Sequence, residues 1–179
     1  MSRCRALIAA TVVCGLSACA AYAPALTAPD NQVLSGRMTL RIDATAAAPA
    51  RALSAAFELS GNAQQGRLDL NTPLGTTLAR ARWEPGNVAV STPQGDSQHD
   101  DLSSMTRVLL GEDLPVVALF DWLRGRPWPG APSMPAELPS ADFKQLGWDV
   151  SLAEFSQRWV SARRAETPVV WLRVKLDTP

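Results

Sequence analysis

The sequence predicts an α+β fold built on an antiparallel sheet, with two helices inserted between two groups of strands. Three observations lead to this prediction: short segments of alternating apolar and polar residues, tight turns between them, and two stretches of helical spacing near the middle of the chain. Short strands joined by tight turns are typical of a meander, whereas parallel sheets need a crossover helix between successive strands. We therefore expect a curved antiparallel sheet whose concave face the two helices cover.

The strands before the helices are predicted from apolar residues that recur at every second position. This alternation covers residues 33–42, 53–60, 67–71, 77–83 and 88–90. Turns are predicted between these segments at residues 44–50, 61–66, 73–75 and 85–87. In the third turn, Pro73 presets the backbone and Gly75 accepts a positive φ, so Pro73-Leu74-Gly75 is expected to form the tip of a hairpin.

Two helices are predicted in the centre of the chain. The first covers residues 102–110, with Asp100 or Asp101 as its N-cap and Gly111 at its end. The second runs from Pro115 to Arg124 and ends at Gly125. Residues 126–139 contain too many prolines for regular structure and are predicted to form a long loop. Strands are expected again at residues 143–145, 148–152, 157–161 and 169–176.

The apolar faces of these strands and helices are expected to meet around a cavity large enough for alkyl chains. The residues assigned to it are Met38, Leu40, Phe57, Leu59, Leu68, Leu70, Leu102, Met105, Leu109 and Leu119. The six tryptophans of the chain are consistent with either a packed core or an open space between the layers. Composition alone leaves both arrangements open.

The first residues have the pattern of a signal peptide. Arg3 and Arg5 precede a short apolar stretch, residues 6–15, that is too short to span a bilayer as a helix. The tetrad that ends at Cys19, Leu-Ser-Ala-Cys, resembles the lipobox of bacterial lipoproteins, which implies that this cysteine is acylated. A plain secretory signal with an unrelated cysteine is the alternative. We expect a signal peptide at 1–18, a lipidated flexible tether at 19–32 and a folded domain at 33–179.

Composition and motifs argue against several classes of function. Cleavage before Cys19 would leave a slight net negative charge and no basic cluster, which argues against nucleic-acid binding. A single histidine, His99, and no second cysteine in the mature chain make a zinc or copper site improbable, and no glycine-rich phosphate loop is present. His99 lies in a polar stretch, residues 96–101, that we interpret as a helix-capping loop and not as a Ser/His/Asp site. We expect no catalytic residue, no metal and no cofactor.

Several segments together resemble the LolB family of outer-membrane lipoprotein receptors, which is related to the periplasmic carrier LolA. The segments are Arg67–Thr77 with Pro-Leu-Gly at its turn, Glu84–Val88, Leu109–Val116, Leu119–Gly125, Gly147–Val150 and Val169–Leu176. The resemblance implies an incomplete barrel whose apolar cavity takes the acyl chains of lipoproteins handed over by LolA. It also implies delivery of that cargo to the outer membrane, with the protein itself lipid-anchored there, facing the periplasm. We expect a monomer.

The resemblance assigns a role to Leu74, because the leucine of this turn in LolB-like receptors projects from the barrel and helps to insert cargo into the membrane. A leucine that folds back onto the core is the alternative. Two functions from other classes also remain open at this point. The first alternative is a lipid-anchored binder of free lipid or glycolipid with the same fold. The second is a structural envelope lipoprotein with a filled interior.

Overall fold

The computed structural model describes residues 33–137 and 140–178. The predicted signal peptide, Cys19 and the tether lie outside the described residues. The strands are β1 (Leu34–Ile42), β2 (Arg51–Gly61), β3 (Gly66–Asn71), β4 (Thr77–Glu84), β5 (Asn87–Thr92), β6 (Gly95–His99), β7 (Ser133–Pro135), β8 (Phe143–Gln145), β9 (Trp148–Ser151), β10 (Trp159–Arg164) and β11 (Val170–Leu176). The helices are α1 (Leu102–Leu110) and α2 (Val116–Trp122).

The strands form one antiparallel sheet that is not closed. Its 11 strands follow the order β6-β5-β4-β3-β2-β1-β11-β10-β9-β8-β7, so β6 and β7 are the two edges. The first and last strands of the chain are joined in the middle of the sheet, where Leu40 of β1 lies opposite Leu172 of β11. The predicted large antiparallel sheet with two helices inserted between its halves is therefore confirmed.

Differences from the prediction occur where the local pattern is weak. Residues 95–99 form the edge strand β6, so most of the stretch 96–101 is not the predicted capping loop, although Asp101 caps α1. The pattern did not predict this strand because its first four residues are exposed and show no alternation. A short strand, β7, lies inside the proline-rich segment predicted to be a loop. The second helix is shorter than predicted, 116–122, and β10 begins at residue 159 after a 3₁₀ turn at 155–157.

Helix α1 ends where its capping residues predict. The Asp101 carboxylate accepts a hydrogen bond from the Ser104 amide at 2.6 Å, and the Ser104 hydroxyl lies 3.4 Å from the Asp101 amide, which forms a capping box. Gly111 adopts a φ of 82° and its amide donates to the Arg107 carbonyl. Asp101 and Gly111 thus bound the helix that carries Met105 and Leu109.

The buried amide of Gln145 organises the proline-rich segment. Its oxygen accepts hydrogen bonds from the Trp122 indole at 2.8 Å and from the Trp128 amide at 2.9 Å. Its nitrogen donates to the carbonyls of Trp128 at 2.7 Å and Ala131 at 2.8 Å. All the polar capacity of this side chain is therefore used, which ties α2, β8 and the following loop together.

A buried carboxylate lies on the outer face of β3. The Asp69 side chain, 10% exposed, accepts hydrogen bonds from Arg67 and Arg80, the latter at 2.6 Å. Burial acts to raise the pKa of Asp69, but the hydrogen bonds from Arg67 and then Arg80, together with the attraction of both guanidinium groups, lower it overall below its usual value of 3.8. The ionised form is thus the one that the fold stabilises.

Asp69→Asn is expected to lower the free energy of unfolding at pH 7 by about 2 kcal/mol, because hydrogen bonds to a charged group are lost. Since the folded pKa is lowered, this contribution is present above the usual value of 3.8 and is lost as the pH falls through the folded pKa. Urea denaturation between pH 7 and pH 2.5 should show the two proteins converging in acid. Asp149→Asn, which removes an exposed pair with Lys144, should change stability by about 0–1 kcal/mol.

Candidate functional site

An apolar pocket of about 260 Å³ lies among residues of the sheet and of both helices. The strands contribute Met38, Leu53, Phe57, Leu59, Leu68, Leu70, Leu78, Ala79, Ala81, Thr92, Leu172 and Val174. The β5–β6 turn, the helices and the residues that follow them contribute Gln94, Met105, Thr106, Leu109, Leu110, Leu114, Val116, Leu119 and Leu123. None of these lining residues is charged, and all but Thr92, Gln94 and Thr106 are apolar. Such a lining suits a ligand without charge along its length, such as an alkyl chain.

Most of the residues assigned to the cavity from the sequence line this pocket. They are Met38, Phe57, Leu59, Leu68, Leu70, Met105, Leu109 and Leu119. Leu40, 2% exposed, lies in the core outside the pocket, and Leu102 lines a different groove. Binding of acyl chains by these residues stays a prediction.

Other lining residues were missed, and some of them had a usable signal. Leu172 and Val174 alternate with exposed residues in β11, but only the pairing of β11 with β1 places them beside the first strands. Leu114 and Val116 flank the start of α2, where no periodicity indicates a direction. Their positions follow from the linker between the helices, in which the Leu114 amide donates to the Thr106 hydroxyl at 3.1 Å.

The hairpin between β3 and β4 has the conformation that its sequence predicts. The Thr72 amide donates to the Thr76 carbonyl at 2.7 Å, and the Gly75 amide donates to the Thr72 carbonyl at 2.9 Å. Gly75 has a φ of 89°, which favours glycine at this position. Leu74 is 95% exposed at the tip, so its side chain does not fold back onto the core. The side chain therefore adds little to the stability of the domain.

The single histidine of the chain has a hydroxyl neighbour. The Ser97 hydroxyl lies 3.1 Å from Nε2 of His99 on the exposed edge strand β6. Within the described ranges, no carboxylate contacts the His99 ring, and neither residue lines the apolar pocket. No group of three or more metal-ligating side chains is found in the part of the chain that the structure describes.

A larger and more polar groove of about 770 Å³ lies on the other side of the residues that link the two helices. It shares Leu114 and Val116 with the apolar pocket, and it is lined by Trp83, Trp128 and Leu146 together with several acidic residues. Its mixed lining differs from the uncharged wall of the smaller pocket, which therefore stands out as the candidate site for an apolar ligand.

Comparison with known proteins identifies the family. The sequence profile described as "Outer membrane lipoprotein LolB" matches residues 33–176, which include every strand and helix described above. The chain belongs to the LolB family. This membership confirms the resemblance predicted from the sequence, the location in the outer membrane and a role in lipoprotein localisation.

Three relatives illustrate the extent of the similarity, and each bears the name outer-membrane lipoprotein LolB. The protein of Bordetella petrii is 29% identical over 163 residues, which cover 87% of this chain and 81% of the relative. The protein of Cupriavidus metallidurans is 28% identical over 183 residues, 98% of this chain and 88% of its own. The protein of Alkalilimnicola ehrlichii is 32% identical over 170 residues, 88% of this chain and 85% of its own.

No helix within the described ranges is long and apolar enough to cross a membrane. The LolB-family members named above are outer-membrane lipoproteins by name. The apolar pocket and the exposed Leu74 hairpin are the features to which the sequence analysis assigned contact with lipid, and that contact stays a prediction.

Proposed function

We propose that this protein accepts lipoproteins from the periplasmic carrier LolA by binding their acyl chains in the apolar pocket, and that it inserts them into the outer membrane. The observation that carries the proposal is the uncharged lining of the pocket, formed jointly by the sheet and the helices. Each methylene removed from water contributes about 0.8 kcal/mol, so an acyl chain leaves one apolar site only for another. Transfer by this route needs no covalent chemistry.

The size of the pocket bears on how cargo enters. At about 260 Å³ it lies just below the range of roughly 300–1,000 Å³ that is usual for pockets that bind small molecules. Because the pocket is smaller than this range, we expect the helices to move away from the sheet when an acyl chain enters. Helix α1 suits such a movement, since Val108 is 70% exposed and Leu109 37% exposed at its C-terminal end.

Purified LolA that carries a fluorescently labelled lipoprotein, mixed with this protein and phospholipid vesicles, tests the proposal. The label should leave LolA, associate with this protein and then appear in the vesicles. A protein that only binds free lipid or glycolipid would take up lipid from vesicles but leave the LolA complex intact. A structural lipoprotein would do neither. Depletion of the protein in cells should cause LolA–cargo complexes to accumulate in the periplasm.

The membrane anchor is expected at Cys19, because the Leu-Ser-Ala-Cys tetrad follows a short apolar segment. Mass spectrometry of the membrane-extracted protein should show an acylated amino terminus at this cysteine. Cys19→Ala removes the sulfur that would be acylated and should release the domain into the periplasm as a soluble protein, because stable anchoring requires two or more acyl chains. Cys14→Ser, within the signal peptide, should leave the anchor in place. An unmodified chain that starts elsewhere would contradict the assignment.

A further inference from the structure

Three turns lie together at one end of the strands, beside the apolar pocket. They join β1 to β2 (residues 43–50), β3 to β4 (72–76) and β5 to β6 (93–94). In an antiparallel meander alternate turns fall at the same end of the strands, so these three turns lie at one end. Each turn adjoins the pocket, since Leu53 follows the first, Leu78 follows the second and Gln94 belongs to the third, and all three residues line it. We call these three turns the pocket edge.

The pocket edge contains one charged residue, Asp43, although 19% of the whole chain is charged. After Asp43 its first turn consists of five alanines, Thr45 and Pro49, and its second presents Leu74 at 95% exposure. Asp43 pairs with Arg41 at 2.7 Å, and Glu112, which lines a small groove beside the first turn, pairs with Arg164. The β10–β11 turn beside it carries Glu166. Apart from the paired Asp43, the exposed tips carry no charge whose transfer out of bulk water would cost free energy.

Three arginines stand directly behind these tips. Arg41 lies near the end of β1 and Arg107 in the last turn of α1, and the side chains of both are 63% exposed. Arg51 begins β2 and donates to a carbonyl of α1 at 3.4 Å, which places the end of α1 at the pocket edge. Asp43 and Asp113 pair with Arg41 and Arg107, but exposed pairs of this kind are weak and exchange readily for other anions.

We propose that the pocket edge is a docking surface for an anionic phospholipid bilayer. The uncharged residues of the tips, 44–50, 72–76 and 93–94, enter the boundary between headgroups and acyl chains, and Arg41, Arg51 and Arg107 bind lipid phosphates behind them. Docking of all three turns brings the pocket against the membrane. Acyl chains then pass from the pocket into the membrane without crossing water. This inference rests on the proposed function and extends bilayer contact from Leu74 alone to the whole edge.

Single-cysteine labelling of the acylated protein tests the inference. The sequence has cysteines only at 4, 14 and 19, so an introduced cysteine is the only free thiol once Cys19 is acylated and the signal peptide is removed. The variants are Ala46→Cys and Gln94→Cys at the pocket edge. The control is Gln65→Cys in the β2–β3 turn, which lies at the other end of the strands. Each carries an environment-sensitive dye and is reconstituted in phosphatidylethanolamine–phosphatidylglycerol vesicles that contain a lipid-borne quencher.

Quenching is expected at residues 46 and 94 but not at residue 65, with neither carrier nor cargo present. Arg41→Gln with Arg107→Gln should lower the ratio of docked to undocked protein roughly 30-fold at low salt. Arg37→Gln with Arg82→Gln, which removes the same charge from the outer face of the sheet, should change the ratio less than twofold.

Three results would overturn the inference: equal quenching at all three positions, quenching at none of them, or a response at residues 46 and 94 that requires LolA. The last result would assign the edge to the carrier. Failure of the proposed function is a separate result, in which docking is intact but labelled cargo never leaves LolA.

Discussion

Leu74→Glu is expected to block delivery of cargo to liposomes while leaving folding and receipt of cargo from LolA largely intact. The side chain is 95% exposed at the tip of its hairpin, so the folded domain loses almost no packing when it is replaced. Burial of a leucine side chain in the boundary of a bilayer gains about 1.5–3 kcal/mol, and a carboxylate forfeits this gain. Delivery should therefore fall roughly 10- to 150-fold, measured as the rate at which labelled lipoprotein enters liposomes.

Leu146→Glu is the matched control, because Leu146 is a leucine in another turn, is 45% exposed and lines the polar groove instead of the apolar pocket. This variant should deliver cargo at the normal rate. The assigned role of Leu74 would be wrong if Leu74→Glu failed to receive cargo, or if its melting temperature dropped by several degrees.

Leu109→Glu is expected to abolish binding of lipid and of a hydrophobic dye in the apolar pocket. Leu109 lines the pocket yet is 37% exposed, so a carboxylate there remains partly hydrated and the domain still folds. An acyl chain that enters the pocket would have to bury this charge, at a cost of several kcal/mol. Displacement of the dye by lipid, followed by fluorescence, should therefore be lost.

Val108→Glu is the control for this experiment, because Val108 is the preceding residue of the same helix, is 70% exposed and does not line the pocket. Its dye binding should be unchanged. Phe57→Glu is a less informative variant, since Phe57 is only 6% exposed and a buried unpaired charge is expected to unfold the domain. Normal lipid binding by Leu109→Glu would show that the ligand does not occupy this pocket.

The sequence predicted the parts of the fold in which local pattern and tertiary burial agree. The alternation of Leu53, Ala55, Phe57 and Leu59 matches their inward positions in β2, and Asp101 and Gly111 bound α1 as expected. Strand β6 was missed because a polar strand at the edge of a sheet buries neither face. The pocket was predicted only in part, since its wall joins strands from both ends of the chain and the link between the helices.

The gap between β6 and β7 has a mechanical consequence. A closed barrel fixes its bore through a continuous ring of backbone hydrogen bonds, and a change of bore breaks some of them. In this sheet the ladder ends at two free strands, so a small change of twist at each pairing would alter the curvature of the wall and break no hydrogen bond. An open sheet of this kind therefore constrains the volume beneath it less than a closed barrel of the same number of strands would.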